Sequence, residues 1–256
     1  MNKNSPRIMI VGTNSGCGKT TVTCGLLQAL VNRNLEIASF KCGPDYIDPM
    51  FHSKVIGTKS RNLDSYFCSE NTLKYLMGRT SEGMDMSIIE GVMGYYDGLG
   101  STNLKASSYD VARITDTPVI LVINCKGMSL SIVPIIKGFK DYVINSNIKG
   151  VILNNMSKMI YNEIKEVIEN ELEVKVYGYI PDLKELTIES RHLGLVTPND
   201  ILDIKEKLNK LAEVLEETLN IDGIIELANT VSKNNIFLSC PLLIHVELRT
   251  ANSFLL

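Results

Sequence analysis

The chain has 256 residues, which is room for one large α/β domain with a closed core. Its content of 45% hydrophobic and 21% charged residues is that of an ordinary globular protein, and a formal charge of −3 gives no general reason to expect nucleic acid or an anionic membrane as a partner. Six cysteines without a C-x-x-C pair, no signal peptide and no apolar run long enough to span a bilayer predict a reduced, cytoplasmic protein.

Short β-branched runs alternate with longer helical patterns along the chain. Six strands are predicted, near residues 8–11, 37–40, 86–89, 119–123, 151–153 and 176–180. This alternation predicts a parallel sheet, and the wholly apolar run at 119–123 suits a central strand covered by helices on both faces. The predicted fold is therefore α/β, with a doubly wound, mostly parallel sheet.

A glycine-rich run follows the first predicted strand and leads into a helix. It consists of Gly12, Thr13, Asn14, Ser15, Gly16, Cys17, Gly18, Lys19, Thr20 and Thr21. Its backbone N–H groups would point at phosphate oxygens, Lys19 would neutralise the β/γ charge and the Thr20 hydroxyl would bind Mg²⁺. Thr13 stands where the usual first glycine would, a variant that resembles the loop of carboxylate-activating enzymes such as dethiobiotin synthetases. A ligand-free turn between strand and helix is the alternative.

Two carboxylates three residues apart, Asp45 and Asp48, follow the second strand within residues 41–52. Open α/β sheets bind ligands at the carboxyl ends of their strands, which favours a chemical role for this pair. The alternative is that both aspartates only make turn hydrogen bonds beside the prolines. Tyr46 and Ile47 lie between the aspartates and would face a substrate.

The third predicted strand ends at Glu90, which is followed by a glycine-rich turn that keeps side chains clear of a ligand. Because Glu90 would lie at the same sheet edge as the phosphate loop, its carboxylate could hold Mg²⁺ opposite Thr20 or orient an attacking group.

Other positions give weaker signals. Asn154 follows the fifth predicted strand, where related nucleotide-binding folds read the base through a side-chain amide; capping of the strand end is an equal alternative. His52 and His192 have no spaced partners, so structural roles are favoured over a metal site. Arg191 has the fork geometry that pairs with a carboxylate.

An amphipathic helix is predicted between residues 197 and 220, beginning at Pro198. Its apolar residues recur at spacings of three and four, at Ile201, Ile204, Leu208, Leu211 and Leu215. This stripe predicts packing against the sheet.

Five motifs, in chain order, resemble the synthetase domain of the cobyrinic acid a,c-diamide synthase family. They are GPDYIDPMFH at 43–52, RNLD at 61–64, EGVMGYYDG at 90–98, GVILNN at 150–155 and SRHLGL at 190–195. The resemblance covers about residues 7–230. It implies an ATP-binding amidoligase domain over residues 1–230, a P-loop NTPase of the dethiobiotin-synthetase-like type, and a linker remnant or tail over residues 231–256.

The family binds ATP and Mg²⁺, phosphorylates the a- and c-side-chain carboxylates of a cobalt corrin precursor, and lets ammonia displace phosphate, as a step of cobalamin biosynthesis. The resemblance implies that three carboxylates act in catalysis: Asp45, Asp48 and Glu90. Of these, Asp48 and Glu90 look most like the metal-binding carboxylates of dethiobiotin synthetases, and would hold Mg²⁺ with Thr20. Lys41 is a further candidate for neutralising phosphoryl charge, and three residues are candidate substrate contacts: Tyr46, Ile47 and Arg191.

Full-length members of that family also carry a glutaminase domain, whose cysteine nucleophile lies in a glycine-rich turn. No such turn is found in this sequence. We therefore expect ammonia to come from solution or from a separate glutaminase; a homodimer stays open.

Three other functions stay open. One is the same chemistry on a related tetrapyrrole, such as Ni-sirohydrochlorin or hydrogenobyrinic acid. A second is carboxylate activation of the dethiobiotin-synthetase type. The third is a partitioning-type ATPase, although those proteins usually carry a second lysine where this chain has Thr13 and Asn14.

Overall fold

A computed structural model describes residues 5–100, 102–183, 186 and 198–231. The elements in chain order are β1 (Arg7–Gly12), α1 (Lys19–Asn32), β2 (Ile37–Cys42), α2 (Ile47–Phe51), a π-helical turn (His52–Ile56), β3 (Lys59–Leu63), α3 (Glu70–Ser81), β4 (Met86–Glu90), α4 (Ser108–Thr115), β5 (Val119–Asn124), α5 (Ile132–Asp141), β6 (Ile148–Asn154), α6 (Lys158–Leu172), β7 (Lys175–Ile180), α7 (Pro198–Thr218) and α8 (Ile221–Asn229).

The strands form one sheet in the order β3-β2-β4-β1-β5-β6-β7, and all six neighbouring pairs are parallel. One apolar core lies between the sheet and helices α1, α7 and α8, and a second lies between the opposite face and helices α3 to α6. The predicted doubly wound α/β fold is therefore confirmed. From β1 the chain moves to one side of the sheet and later to the other, so the ligand crevice of such folds lies at the carboxyl end of β1.

The sheet has one strand more than the six predicted. The additional strand, β3, lies at the edge of the sheet, where Lys59 and Arg61 are exposed and only Leu63 is buried. An edge strand needs no continuous apolar run, which is why the sequence pattern did not reveal it. The prediction also ended the strand before Asn154, whereas Asn154 is the last residue of β6, the sixth strand.

The predicted amphipathic helix is confirmed as α7, which begins at Pro198. Leu208, Leu211 and Leu215 are buried against α1. Gly25 of α1 permits this close approach, because a Cβ atom there would lie 2.6 Å from the Leu215 Cδ1 atom and 2.8 Å from the Leu211 Cγ atom.

None of the helices that the structure describes is long and apolar enough to cross a membrane.

The contact between α1 and α7 gives a stability prediction. Gly25→Val should lower the free energy of unfolding by about 1–3 kcal/mol, because the added methyl groups overpack the interface with Leu211 and Leu215. Gly138→Val is the matched control, since Gly138 lies in α5 with no atom within 4 Å of a Cβ. Urea unfolding followed by circular dichroism measures both, and equal midpoints would contradict the prediction.

Candidate active site

The phosphate loop joins β1 to α1 and is held by neighbouring strands. Gly18 has φ 102°, a conformation that favours glycine, and a Cβ there would lie 2.2 Å from the Asn154 side-chain nitrogen. The Asn154 amide donates a hydrogen bond of 2.9 Å to the Cys17 carbonyl. The sequence leaves two roles open for Asn154, base reading and strand-end capping. In the structure, its amide supports the phosphate loop from the end of β6.

Lys19 is the first residue of α1 and lies over the loop. Its ammonium donates to the Asn14 carbonyl at 3.0 Å, and burial lowers its pKa. Gly18 precedes the first turn of α1, and the amino-terminal end of a helix favours an anion. Lys19 and the start of α1 thus lie together at the carboxyl end of β1, and their contact with phosphate stays a prediction.

A buried charge cluster, which we call the Lys41 cluster, lies beside the loop and comprises Lys41, Asp48, Glu90 and Thr20. The Lys41 ammonium is 2.8 Å from Glu90 Oε1 and 2.6 Å from Asp48 Oδ2. The Thr20 hydroxyl donates to Glu90 Oε1 at 2.7 Å. Lys41 and Glu90 are register partners in the β2–β4 pair, so strand pairing itself brings the two charges together. The cluster thus brings together the three predicted metal ligands, Thr20, Asp48 and Glu90. Two of them, Asp48 and Glu90, are also predicted catalytic carboxylates.

The cluster holds its residues in defined charge states. Burial alone would lower the pKa of Lys41, but the Glu90 and Asp48 carboxylates outweigh burial and raise it. For Glu90, burial opposes ionisation, yet Lys41 brings its pKa below the ordinary value. Burial, together with the nearby charge of Glu90, raises the pKa of Asp48 to about 6. Lys41 and Glu90 are therefore a charged pair at neutral pH.

The donor set of the cluster fits Mg²⁺. Glu90 Oε2 and Asp48 Oδ1 are buried without a hydrogen-bond partner, and carboxylate oxygens are the ligands that Mg²⁺ prefers. Within the described ranges, no group of three or more His, Cys, Asp or Glu side chains is arranged to hold a metal ion. Thr20, Asp48 and Glu90 carry oxygen atoms of the kind that would hold Mg²⁺ together with nucleotide phosphates.

Asp45 has a different position from Asp48. Its Oδ1 atom accepts hydrogen bonds from the backbone N–H groups of Ile47, at 2.8 Å, and Asp48, at 3.2 Å. Its carbonyl accepts from the Asn62 amide at 2.6 Å. The alternative in which Asp45 makes turn hydrogen bonds thus describes its contacts. These hydrogen bonds lie at the start of α2 and hold Asp48 toward Lys41.

The predicted substrate residues Tyr46 and Ile47 are exposed beside the cluster, Tyr46 to 86%. Large apolar side chains exposed in this way are available to a ligand. Arg191, the third predicted substrate contact, lies outside the described residues, as does His192.

Two residues near the site were not predicted to act there. His52 is fully buried, with its Nε2 atom 3.7 Å from Cys24 Sγ and 3.8 Å from Glu90 Oε2, and burial lowers its pKa to about 4. Asp97 accepts a hydrogen bond of 2.7 Å from the Gly94 N–H, and its charge acts on Lys19. Both belong to the motifs at 43–52 and 90–98, which was the available signal.

The opposite pKa shifts of His52 and Asp48 predict how the stability of the nucleotide-free protein depends on pH. His52 stays neutral in the folded chain, so stability present above its ordinary pKa of 6.5 is lost as the pH falls toward about 4. We expect His52→Gln to remove this loss, so that wild type loses about 2 kcal/mol relative to the variant between pH 6.5 and 5.

Asp48→Asn is the matched comparison. Its folded pKa is raised, so the stability it contributes is present below its ordinary pKa and is lost as the pH rises through about 6. Wild type should therefore gain stability relative to Asp48→Asn as the pH falls. Urea unfolding in EDTA at several pH values measures both differences, and parallel curves for wild type and His52→Gln would show that His52 titrates normally.

Comparison with known proteins places this geometry in a family. Residues 8–196 match CbiA, the CobQ/CobB/MinD/ParA nucleotide binding domain. The chain is 45% identical over 224 residues to the cobyrinate a,c-diamide synthase of Thermoplasma volcanium, covering 87% of this chain and 48% of that protein. It is 43% identical over 221 residues to the synthase of the same name from Clostridium acetobutylicum, covering 86% of this chain and 50% of that protein. The resemblance to this family is confirmed, and the chain spans about half the length of these relatives.

Two solved structures share the fold at low sequence identity. Chloroplast FtsY from Physcomitrella patens superposes with a TM-score of 0.52 at 15% identity, over 81% of this chain and 66% of that one. Signal recognition particle receptor FtsY from Elizabethkingia anophelis in complex with GDP gives 0.53 at 14% identity, over 79% and 64%. With the family match over most of its length, the chain belongs to the CobQ/CobB/MinD/ParA nucleotide binding domain family.

Proposed function

We propose that this chain catalyses the ATP-dependent amidation of the a- and c-side-chain carboxylates of cobyrinic acid, through acyl-phosphate intermediates, in cobalamin biosynthesis. The observation that carries the proposal is the hydrogen bond of 2.7 Å between Thr20 and Glu90, because it joins the phosphate loop directly to the carboxylates of the Lys41 cluster. The relatives named cobyrinate a,c-diamide synthase supply the substrate.

In the first step, an oxygen of the substrate carboxylate attacks the γ-phosphorus of ATP, and the bond from that phosphorus to ADP breaks. The acyl phosphate that forms has a good leaving group, which the carboxylate itself lacked. Such transfers depend on positioning and charge neutralisation. Lys19 and the N–H groups of the loop neutralise the phosphates, and Lys41 partly neutralises the acidic cluster that the incoming carboxylate approaches.

Bound Mg²⁺ would supply further charge neutralisation at the transferring phosphoryl group. Thr20, Asp48 and Glu90 are the residues that would hold it. Glu90 suits this role because Lys41 keeps it ionised and its Oε2 atom has no hydrogen-bond partner.

In the second step, the nitrogen of ammonia attacks the acyl carbon, phosphate leaves, and a proton must leave the nitrogen. Asp48 is the proposed proton acceptor, with Oδ1 buried and without a hydrogen-bond partner. Asp45 acts through the hydrogen bonds that hold α2. Tyr46, Ile47 and Arg191 are proposed to select which carboxylates react.

The proposal also covers the extent of the catalytic unit, the nitrogen donor, the oligomeric state and the cell compartment. Residues 1–230 form the ATP-dependent unit, and Asn154 supports its phosphate loop next to the nucleotide. Ammonia is the nitrogen donor, supplied from solution or by a separate glutaminase, and the chain could act as a homodimer. We propose a cytoplasmic location, where ATP is available, and the free thiols of the five cysteines in the described chain agree with it.

The function is tested by measuring ATP hydrolysis by the purified chain with Mg²⁺, with and without cobyrinic acid and ammonium, and by identifying products by mass. Amides of cobyrinic acid are the expected products. Amides formed only from hydrogenobyrinic acid or Ni-sirohydrochlorin would reassign the substrate to a related tetrapyrrole. Hydrolysis without amide from any of the three would overturn the proposal.

Replacement of Lys19 by Ala should lower ATP turnover by at least about 100-fold, because the β/γ charge loses its cation in the transition state. Lys149→Ala is the matched control, because Lys149 is exposed at the amino end of β6, whereas the phosphate loop follows the carboxyl end of β1. Steady-state turnover of both variants measures the effect. If Lys19→Ala keeps wild-type turnover, the phosphate-loop assignment fails.

Asp48→Asn and Glu90→Gln should lower amide formation by about 10²–10⁴-fold while weakening ATP binding much less, because the proposed roles are proton handling and metal placement. Glu163→Gln, at an exposed position of α6, controls for the charge change. Turnover and ATP affinity are measured separately. Equal losses in both would move the two carboxylates into nucleotide binding.

A further inference from the structure

A groove of about 990 Å³ lies between the segment that follows β4 and the exposed side of α5. Its apolar lining includes Met93 and Tyr96 from that segment, Phe139 from α5, and Tyr142, which directly follows α5. This volume is at the upper end of the range for small-molecule sites, which is about 300–1,000 Å³. The groove is therefore large enough for a bulky ligand rather than for a single ring.

The segment that lines the groove packs against the phosphate loop. The Tyr95 N–H donates a hydrogen bond of 2.9 Å to the Gly12 carbonyl, and a Cβ on Gly94 would lie 2.8 Å from the Thr13 carbonyl oxygen. Met93 follows Glu90 by three residues, a length of chain that reaches about 11 Å at most. The Met93 end of the groove thus lies within about 11 Å of Glu90 of the Lys41 cluster, measured along the backbone.

The lining suits a flat apolar surface. The Tyr96 ring stacks on Phe139 with centroids 5.7 Å apart and lies 5.0 Å from the Tyr142 ring. The Tyr96 hydroxyl donates to the Phe139 carbonyl at 2.6 Å, so its polar atom is satisfied, and the partly buried Tyr96 ring belongs to an aromatic wall that it forms with Phe139 and Tyr142. Aromatic and thioether side chains bind flat, polarisable molecules.

Met93 is held in an unusual conformation at the mouth of the groove. Its φ is 51°, which is uncommon for a residue other than glycine, and its side chain is 52% exposed. Holding an apolar side chain in strained backbone toward solvent costs free energy without a gain in packing. Such outliers cluster at ligand-binding positions.

The charges of the groove limit which part of a ligand it accepts. Among its lining residues that the structure describes, none carries a positive charge, and Asp97 is acidic. Carboxylates would therefore be unfavourable inside it, whereas an uncharged ring face would not.

We propose that this groove holds the apolar face of the macrocyclic ring of the substrate, with the peripheral carboxylates outside and one of them at the Lys41 cluster. The inference rests on the proposed function for the identity of the macrocycle. It adds a binding surface formed by Met93, Tyr96, Phe139 and Tyr142, away from the predicted substrate residues Tyr46 and Ile47.

Gly138 provides the test, because it lines the groove on α5 and no atom lies within 4 Å of a Cβ built there. Gly138→Phe should fill the groove without overpacking the core, and Gly138→Ala is the matched control. Binding of cobyrinic acid, measured by equilibrium dialysis, should weaken by at least about tenfold in Gly138→Phe and stay within about twofold of wild type in Gly138→Ala. ATP binding should stay within about twofold of wild type in both variants.

A second pair tests the same surface by removing a side chain. Tyr142→Ser should also weaken cobyrinic acid binding, whereas Ile144→Ser should not, because Ile144 is 99% exposed but is not part of the groove lining. Wild-type binding in both Gly138→Phe and Tyr142→Ser would overturn the proposal.

The outcomes also separate this inference from the proposed function. If wild type amidates cobyrinic acid and the groove variants bind it normally, only the groove assignment fails. If wild type neither binds nor amidates cobyrinic acid, the proposed function fails and this inference with it. Weakened ATP binding in Gly138→Phe would assign the groove to the nucleotide, and conversion of a dimer to a monomer in sedimentation would assign it to a subunit interface; either result overturns the proposal.

Discussion

The buried ammonium of Lys41, held between the carboxylates of Asp48 and Glu90, is the interaction on which the site depends. A buried charge is costly unless it is paired, so each of the three groups needs the others in place. Parallel pairing of β2 with β4 sets Lys41 beside Glu90, and the turn held by Asp45 brings Asp48 to the same ammonium. The β2–β4 register and the start of α2 thus place all three charges in one buried cluster, where each is paired.

The phosphate loop is shaped from outside as much as by its own sequence. Asn154 reaches it from β6 and bonds the Cys17 carbonyl, while the turn after β4 bonds the Gly12 carbonyl through the Tyr95 N–H. Thr20 ties the first turn of α1 to Glu90. The loop is therefore held from β6 and from β4 with the turn that follows it, and such preorganisation lowers the cost of reorganisation during phosphoryl transfer.

The sequence predicted what depends on local pattern, and failed where distant segments decide. Apolar strands, the phosphate loop and α7 follow from periodicity and spacing, and the Thr20–Glu90 contact follows from parallel strands ending at one edge. β3 was missed because an edge strand with exposed Lys59 and Arg61 lacks an apolar run. The burial of His52 beside Glu90 and the groove on α5 arise from residues far apart in the chain, and no spacing in the sequence reports such contacts.

The charge balance of the site would let the proposed acidic substrate approach two acidic residues. Lys19 and Lys41 supply two positive charges beside Asp48 and Glu90, so these four side chains are close to neutral together at neutral pH. A carboxylate of the proposed substrate would then approach the phosphoryl group without a net opposing charge from Lys19, Lys41, Asp48 and Glu90 taken together. The groove beside it, whose described lining includes Asp97 and no basic residue, would disfavour carboxylates and accept an uncharged ring face. A polycarboxylate macrocycle would thus be oriented by two adjoining surfaces, one tolerant of its charged edge and the other of its apolar face.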